Sequence, residues 1–143
     1  MGRFLCDTSC LVAAACGWHE FHARTVGELD RRIRDGDDLL IASHSLVESY
    51  AVLTRLPSPN RLSAETAMNP IEANWSAVEE VHLTAAETWR ALRRARTLGV
   101  YGGQVYDAVI AACAEKARAS TILTWNIRHF ARLSSGIRVT GPQ

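Results

Sequence analysis

The sequence lacks the features that mark several special classes of protein. Its 143 residues include only four cysteines and no Cys-x-x-Cys pair, so neither a disulfide scaffold nor a common zinc site is indicated. Its apolar runs fall short of the roughly 17–25 residues that span a membrane. The formal net charge is only +1, which excludes a histone-like polycation. The length and the 48% hydrophobic content predict one globular domain over residues 1–143.

The N-terminal stretch resembles a lipoprotein signal only superficially. Asp7 interrupts its apolar part, and the continuous apolar run over residues 10–16 is too short to cross a bilayer. We therefore expect no targeting segment, no contact with a membrane and a soluble cytoplasmic protein. Three of the four cysteines lie among Leu, Val and Ala, which predicts buried, reduced thiols.

Strand and helix patterns alternate along the chain, without repeats or long linkers. Short apolar runs predict strands over residues 3–6, 38–42, 78–83, 121–124 and 137–140. Apolar residues at helical spacing predict helices over residues 10–16, 21–34, 45–56, 84–98, 105–118 and 128–133. Ser63 begins a further helix, which Pro70 must start, bend or end. This alternation predicts an α/β domain with a parallel sheet.

Ligands of such sheets bind beyond the carboxyl ends of the strands, where the strand order switches. Asp7 directly follows the first predicted strand, and it could simply cap the next helix. Glu48 lies in the first turn of the helix after the second strand, and its spacing from Ser45 also fits a capping box. Both residues nevertheless lie at the edge of the sheet where a ligand site is expected.

Asp107 is harder to explain as a structural residue, because it lies in the most apolar predicted helix of the chain. An unpaired carboxylate there would be costly, so Asp107 must lie near the helix N-terminus, be paired, or coordinate a metal. The preceding Gly102-Gly103 loop favours the N-terminal position. Asn126 follows the fourth strand and either caps a short helix or offers a carbonyl oxygen to a cation.

Three carboxylates and one amide are therefore expected at one edge of the sheet. Clustered carboxylates repel one another and need a cation to offset their charge. Oxygen ligands select Mg²⁺ or Mn²⁺ over zinc, and such ions serve in phosphodiester hydrolysis. His44 and His129 also lie near this edge by sequence, but we interpret them as solvated or core histidines.

The charge is divided unevenly along the chain. Residues 1–87 carry seven arginines and thirteen acids, a net charge of −6, whereas residues 88–143 carry nine basic and two acidic residues, a net charge of +7. The later basic residues cluster in the long helix and after the fourth strand, and they include Arg90, Arg93, Arg94, Arg96, Arg128, Arg132 and Arg138. A basic surface of this kind suits a phosphate backbone, although a solvated helix face explains Arg93 and Arg94 equally well.

Four segments contain these site residues, in order and over nearly the whole chain. They are residues 7–12 (DTSCLV), residues 42–48 with 51–57 (ASHSLVE and AVLTRLP), residues 102–108 with 111–112 (GGQVYDA and AA), and residues 123–130 (LTWNIRHF). In these segments the chain resembles the PIN-domain ribonucleases, specifically the VapC-type toxins of bacterial toxin–antitoxin pairs. Each segment alone is a weak signal, whereas four in register are specific.

The resemblance implies a five-stranded parallel sheet of order 3-2-1-4-5 flanked by helices. It also implies a Mg²⁺ or Mn²⁺ site formed by Asp7, Glu48, Asp107 and Asn126. Many relatives carry Asp at the place of Asn126, so a second ion would be held less strongly here. The hydroxyls that would support these ligands belong to Thr8, Ser9 and Thr124.

The resemblance further implies hydrolysis of RNA, a homodimer, and a cognate VapB-type antitoxin whose C-terminal segment covers the acidic site. Trp18, Phe21, Val52 and Leu53 could line the groove for that segment, with core packing as the default interpretation. The RNA target stays open.

Two other functions stay open. A PIN-like module could hold RNA or protein without cutting, and the neutral Asn126 favours it. Another α/β phosphotransfer domain could keep an aspartate after its first strand. That domain would need a lysine near the fourth or fifth strand, whereas Lys116 lies on a helix before the fourth.

Overall fold

The chain forms a five-stranded parallel sheet in a computed structural model that describes residues 2–133 and 136–143. The strands are β1 (Arg3–Cys6), β2 (Asp38–Ala42), β3 (Glu79–Val81), β4 (Thr121–Leu123) and β5 (Arg138–Thr140). Their order is β3-β2-β1-β4-β5, which confirms the expected order. β1 therefore pairs with β2 on one side and with β4 on the other, so the strand order switches between β1 and β4.

Seven helices in the described part of the chain connect and cover these strands. They are α1 (Thr8–Ala15), α2 (His22–Arg34), α3 (Ser43–Arg55), α4 (Ala64–Trp75), α5 (Ala85–Leu98), α6 (Gln104–Lys116) and α7 (Ile127–Phe130). The predicted elements all occur, with ends that coincide or are displaced by at most three residues. The predicted helix over residues 128–133 is shorter and begins one residue earlier, and the predicted third strand is three residues long.

One prediction about a helix end is wrong and another is narrowed. Pro70 lies inside α4, which excludes a start or an end of the helix there and leaves a bend. Its ring removes one backbone donor, and the buried Ala67, Ile71 and Trp75 on either side of it anchor the helix to the core. The capping box at Ser45 and Glu48 does not form, because α3 already begins at Ser43 after Ala42.

Alternating strand residues build a core on each face of the sheet. Leu5, Leu40 and Ile122 face α5 and α6, whose Ala95, Ile110 and Ala114 are buried against them. The intervening residues Phe4, Ile41 and Leu123 face α1 to α4. The sequence reads as continuous apolar strands because both faces of a parallel sheet are covered. All four cysteines are buried and free, as expected.

A capping box does form at α5. The Thr84 hydroxyl accepts a hydrogen bond from the Glu87 amide (3.2 Å), and the Glu87 carboxylate accepts one from the Thr84 amide (2.8 Å). Lys116 on α6 also donates to that carboxylate (2.8 Å). The hydrogen bond from Lys116 and the Thr84 amide lower the pKa of Glu87 to about 2.

We expect Glu87→Gln to lower the melting temperature at pH 7 and to lose this effect in acid. A folded pKa below the ordinary value of 4.5 stabilises the fold above pH 4.5, and the contribution disappears as the pH falls towards 2. Thermal unfolding of both proteins between pH 7 and pH 3 measures this. The control is Glu65→Gln, an exposed acid in the first turn of α4. A difference in melting temperature that does not change with pH would contradict the assignment.

In the described part of the chain, no helix has both the length and the apolar character needed to cross a membrane.

Candidate active site

The predicted site residues line one cavity of about 340 Å³ at the carboxyl ends of the strands. Asp7 reaches it from the end of β1, Glu48 from α3, and Asp107 from the first turn of α6. Asn126 follows β4 and lines the same cavity. The topology explains this convergence, because β1, β2 and β4 are neighbouring parallel strands that end at the same edge.

Asp7 occupies the N-cap position of α1, but its side chain makes no capping hydrogen bond. Instead Oδ2 accepts hydrogen bonds from the hydroxyls of Thr124 (2.7 Å) and Ser9 (2.9 Å). The side chain is almost completely buried, and this burial raises its pKa against the opposing effect of the two hydroxyls. A buried carboxylate held in this way, rather than used as a cap, is suited to binding a cation.

Hydroxyl groups connect the ends of β1 and β4. Thr124 Oγ1, which donates to Asp7, accepts a hydrogen bond from the amide of Asn126 (2.9 Å). The Ser9 hydroxyl likewise accepts from the amide of Trp125 (3.0 Å). Both hydroxyls thus donate their hydrogen to the Asp7 carboxylate, and their oxygens accept hydrogen bonds from backbone amides of the loop after β4.

Glu48 is oriented by neighbours from two helices. The Thr8 hydroxyl lies 3.3 Å from Glu48 Oε2 and 3.0 Å from the Ser45 hydroxyl. His44 Nε2 lies 3.1 Å from the same carboxylate oxygen, without hydrogen-bond geometry. One turn of α3 separates the two side chains, so this contact follows from their i, i+4 spacing.

Asp107 is half-buried and has His129 as its partner. His129 Nδ1 lies 3.3 Å from Asp107 Oδ2. Burial, followed by the negative charges of Asp7 and Glu48, raises the pKa of Asp107 to about 6 against the opposing effect of His129. The influence of both other carboxylates on Asp107 shows that the three charges share one electrostatic environment.

His129 is exposed, in line with the interpretation as a solvated residue, and His44 is half-buried, but each also contacts a site carboxylate. Their spacing from Glu48 and Asn126 in the sequence could have indicated this. Asn126 itself is exposed, and its side chain makes no cap on α7.

A second cavity of about 680 Å³ adjoins the first and shares Glu48, Asp107 and Asn126 with it. Arg55 from α3 and Arg132 after α7 line this cavity, together with Tyr106. Arg55 belongs to the acidic part of the sequence, so counting charges along the chain did not reveal it. Of the α5 arginines, Arg90 and Arg94 line a different cavity, where Arg94 donates a hydrogen bond to Glu115 (2.9 Å) on α6.

The oxygen atoms of the first cavity, which contains Asp7, Glu48, Asp107 and Asn126, suit Mg²⁺ or Mn²⁺. Among the described residues, no three His, Cys, Asp or Glu side chains are already gathered as a ligand cluster. Instead, Glu48 and Asp107 contact different histidines, His44 and His129 respectively. Mg²⁺ usually keeps several waters and needs only one or two direct carboxylate ligands, so the donor set fits it.

The architecture and the cavity define a doubly wound α/β protein with an acidic site at the switch in strand order. Residues 4–135 match the PIN domain family, and the chain belongs to that family. It is 34% identical to "Ribonuclease VapC40" of Mycobacterium tuberculosis over 122 residues, which cover 85% of each chain. It is 31% identical to "Ribonuclease VapC27" of the same organism over 113 residues, 79% of this chain and 77% of the relative.

Solved structures share the fold at lower sequence identity. The VapC20 toxin of Mycobacterium tuberculosis, described as cleaving the sarcin–ricin loop, superposes with a TM-score of 0.71 and 18% identity over 94% of this chain and 98% of its own. The DNA-bound VapBC complex of Salmonella typhimurium gives 0.72 and 23% identity over the full length of both chains. These structures support the fold assignment.

Proposed function

We propose that this chain is a Mg²⁺- or Mn²⁺-dependent endoribonuclease and the toxin of a toxin–antitoxin pair. One observation carries the proposal: the three carboxylates of Asp7, Glu48 and Asp107 line a single cavity at the switch in strand order. Membership of the PIN domain family and the similarity to VapC ribonucleases support the same activity.

Asp7, Glu48, Asp107 and Asn126 would hold the metal ion. When bound, the ion supplies positive charge to the scissile phosphate and lowers the pKa of a bound water. Thr124 and Ser9 hold the Asp7 carboxylate in place, and Thr8 does the same for Glu48. Arg55 and Arg132 would bind RNA phosphates beside the carboxylates, because guanidinium groups suit them.

We expect RNA cleavage to require a divalent metal ion. The purified protein should cut single-stranded RNA with Mg²⁺ or Mn²⁺, lose this activity in EDTA, and regain it when excess metal is restored. The binding of Mn²⁺ should also be measurable by titration calorimetry without RNA. Cleavage that continues in EDTA would contradict the metal site.

A non-cleaving PIN-like binding module is the second candidate, and the neutral, exposed Asn126 favours it. The buried Asp7 argues against it, because a binding surface gains nothing from a carboxylate that burial makes costly to ionise. Metal-dependent turnover distinguishes the two.

The proposed partners are a VapB-type antitoxin and a second copy of this chain. VapBC complexes among the structures with this fold support the antitoxin. The homodimer rests on the family resemblance alone.

A further inference from the structure

An aromatic stack forms one wall of the carboxylate cavity. The rings of Phe21 and Trp125 lie parallel, with centroids 4.0 Å apart and an interplanar angle of 13°. Both side chains line the cavity that contains Asp7, Glu48 and Asp107. Flat aromatic surface is therefore available next to the charged groups.

The stack is fixed before any ligand arrives. The Trp125 indole donates a hydrogen bond to the Thr25 hydroxyl (2.9 Å), which in turn donates to the carbonyl of Phe21 (2.7 Å). The Trp125 amide is bound to Ser9, which also holds Asp7. Ser9 thus connects Trp125 to the Asp7 carboxylate, so both are held in place before a ligand binds, which lowers the entropy cost of binding that ligand.

Phe21 is not explained by core packing. Within residues 2–133 and 136–143, Trp125 packs against the core on one face of the sheet, whereas Phe21 belongs to neither core cluster nor to the side chains packed on them. Phe21 nevertheless keeps its ring on Trp125 and lines the cavity. Trp125 covers one face of that ring, and the tilted His19 ring lies 5.7 Å from it, so a ligand in the cavity would reach the part of the ring that these two neighbours leave open.

The chemistry of the cavity favours a nucleobase at this wall. Its other side is acidic, with Glu20 in addition to the three carboxylates, so a phosphate can approach only beside bound cations. A base is uncharged and flat, and it is linked to that phosphate by one sugar. Stacking of bases on aromatic side chains is the usual way in which proteins hold single-stranded nucleic acid.

We infer that Phe21, supported by Trp125, stacks on the nucleobase next to the scissile phosphate of a single-stranded RNA. This inference rests on the proposed ribonuclease function. It makes Phe21 a residue that binds the substrate and contributes to its affinity.

Kinetics with paired substrates test the inference. The wild type first cleaves a short mixed-sequence RNA, which identifies the phosphodiester bond that is cut. Matched RNAs of the same sequence then lack the base on one side or on the other side of that bond. We expect Phe21→Leu to lower kcat/KM on the intact RNA by roughly 10- to 100-fold, mainly through KM, because ground-state stacking is lost. Phe21→Tyr should retain activity.

The RNA that lacks the base shows whether the effect of Phe21→Leu depends on that base. On the RNA that lacks the stacked base, the wild type should be as slow as Phe21→Leu, and the substitution should have little further effect. Trp89→Leu is the control, because Trp89 is an aromatic residue on α5, 60% exposed, and outside the lining of both cavities that contain Glu48 and Asp107. It should behave as the wild type on both RNAs.

Binding separates this inference from the proposed function. In an Asp107→Asn background, fluorescence anisotropy should show weaker affinity for the intact RNA after Phe21→Leu, and no change for the RNA without the base. Cleavage that survives Asp107→Asn would overturn the proposed site without touching this result. Unchanged RNA affinity and kcat/KM in Phe21→Leu would overturn the stacking. The stacking would also be overturned if the variant kept both values and lost only its inhibition by a partner protein, since Phe21 would then bind that protein and not RNA.

Discussion

Replacing Asp7 by Asn should reduce kcat/KM for RNA by roughly 10³-fold. A bound metal ion stabilises the transition state by several kcal/mol, and each 1.36 kcal/mol corresponds to a tenfold change in rate. The amide that replaces the carboxylate is uncharged, so it binds a hard cation more weakly than the carboxylate does. Initial rates at saturating Mg²⁺ or Mn²⁺, compared with the wild type, measure the effect.

The same substitution should not unfold the protein. Burial raises the pKa of Asp7, so its ionised form opposes folding at pH 7 when no metal is bound. The melting temperature of metal-free Asp7→Asn should therefore be no lower than that of the wild type. Asp38→Asn is the control, since Asp38 is exposed at the opposite end of the neighbouring strand β2. Wild-type activity in Asp7→Asn would refute the proposed metal site.

Thr124→Val should lower activity or metal affinity by about 10- to 100-fold, as is usual when a group that orients a metal ligand is removed. Val has nearly the shape of Thr, so packing in this fully buried position is kept. The substitution removes the donor to Asp7 Oδ2 and the acceptor for the Asn126 amide. Leaving such groups unsatisfied costs about 1–3 kcal/mol of stability.

Two further variants separate the loss of the hydroxyl from a change in packing. Thr124→Ser keeps the hydroxyl and should retain most of the activity. Thr121→Val changes a buried threonine at the start of β4, the strand that Thr124 directly follows, away from the carboxylates, and should leave cleavage unchanged. Manganese affinity measured by calorimetry should follow activity across these variants. Equal loss in Thr124→Ser and Thr124→Val would mean that packing, not the hydroxyl, matters.

The sequence predicted the fold well because two simple patterns determine it. Apolar strands alternate with helices, and polar residues follow the strands at Asp7 and Asn126. The capping interpretation of Glu48 failed because α3 begins two residues earlier than the pattern indicated. The pattern left three places for Pro70, and it lies inside α4 because packing of that helix outweighs the loss of one backbone hydrogen bond.

Contacts between distant segments could not be predicted in the same way. The approach of His129 to Asp107 depends on how α7 is placed beside α6. The stacking of Phe21 on Trp125 joins residues more than one hundred positions apart. Arg55 lies in an acidic part of the chain and joins the site through the fold. Local patterns place each residue on an element, but only packing brings the elements together.

The hydrogen bond between Asp7 and Thr124 joins residues 117 positions apart, so the whole segment between them must be synthesised before it can form. Contacts of such long sequence separation form slowly, because a large loop must close first. All of residues 7–124 would therefore have to leave the ribosome before the acidic cavity is complete. For a chain proposed to cut RNA, late assembly would keep the nascent polypeptide harmless to the machinery that makes it.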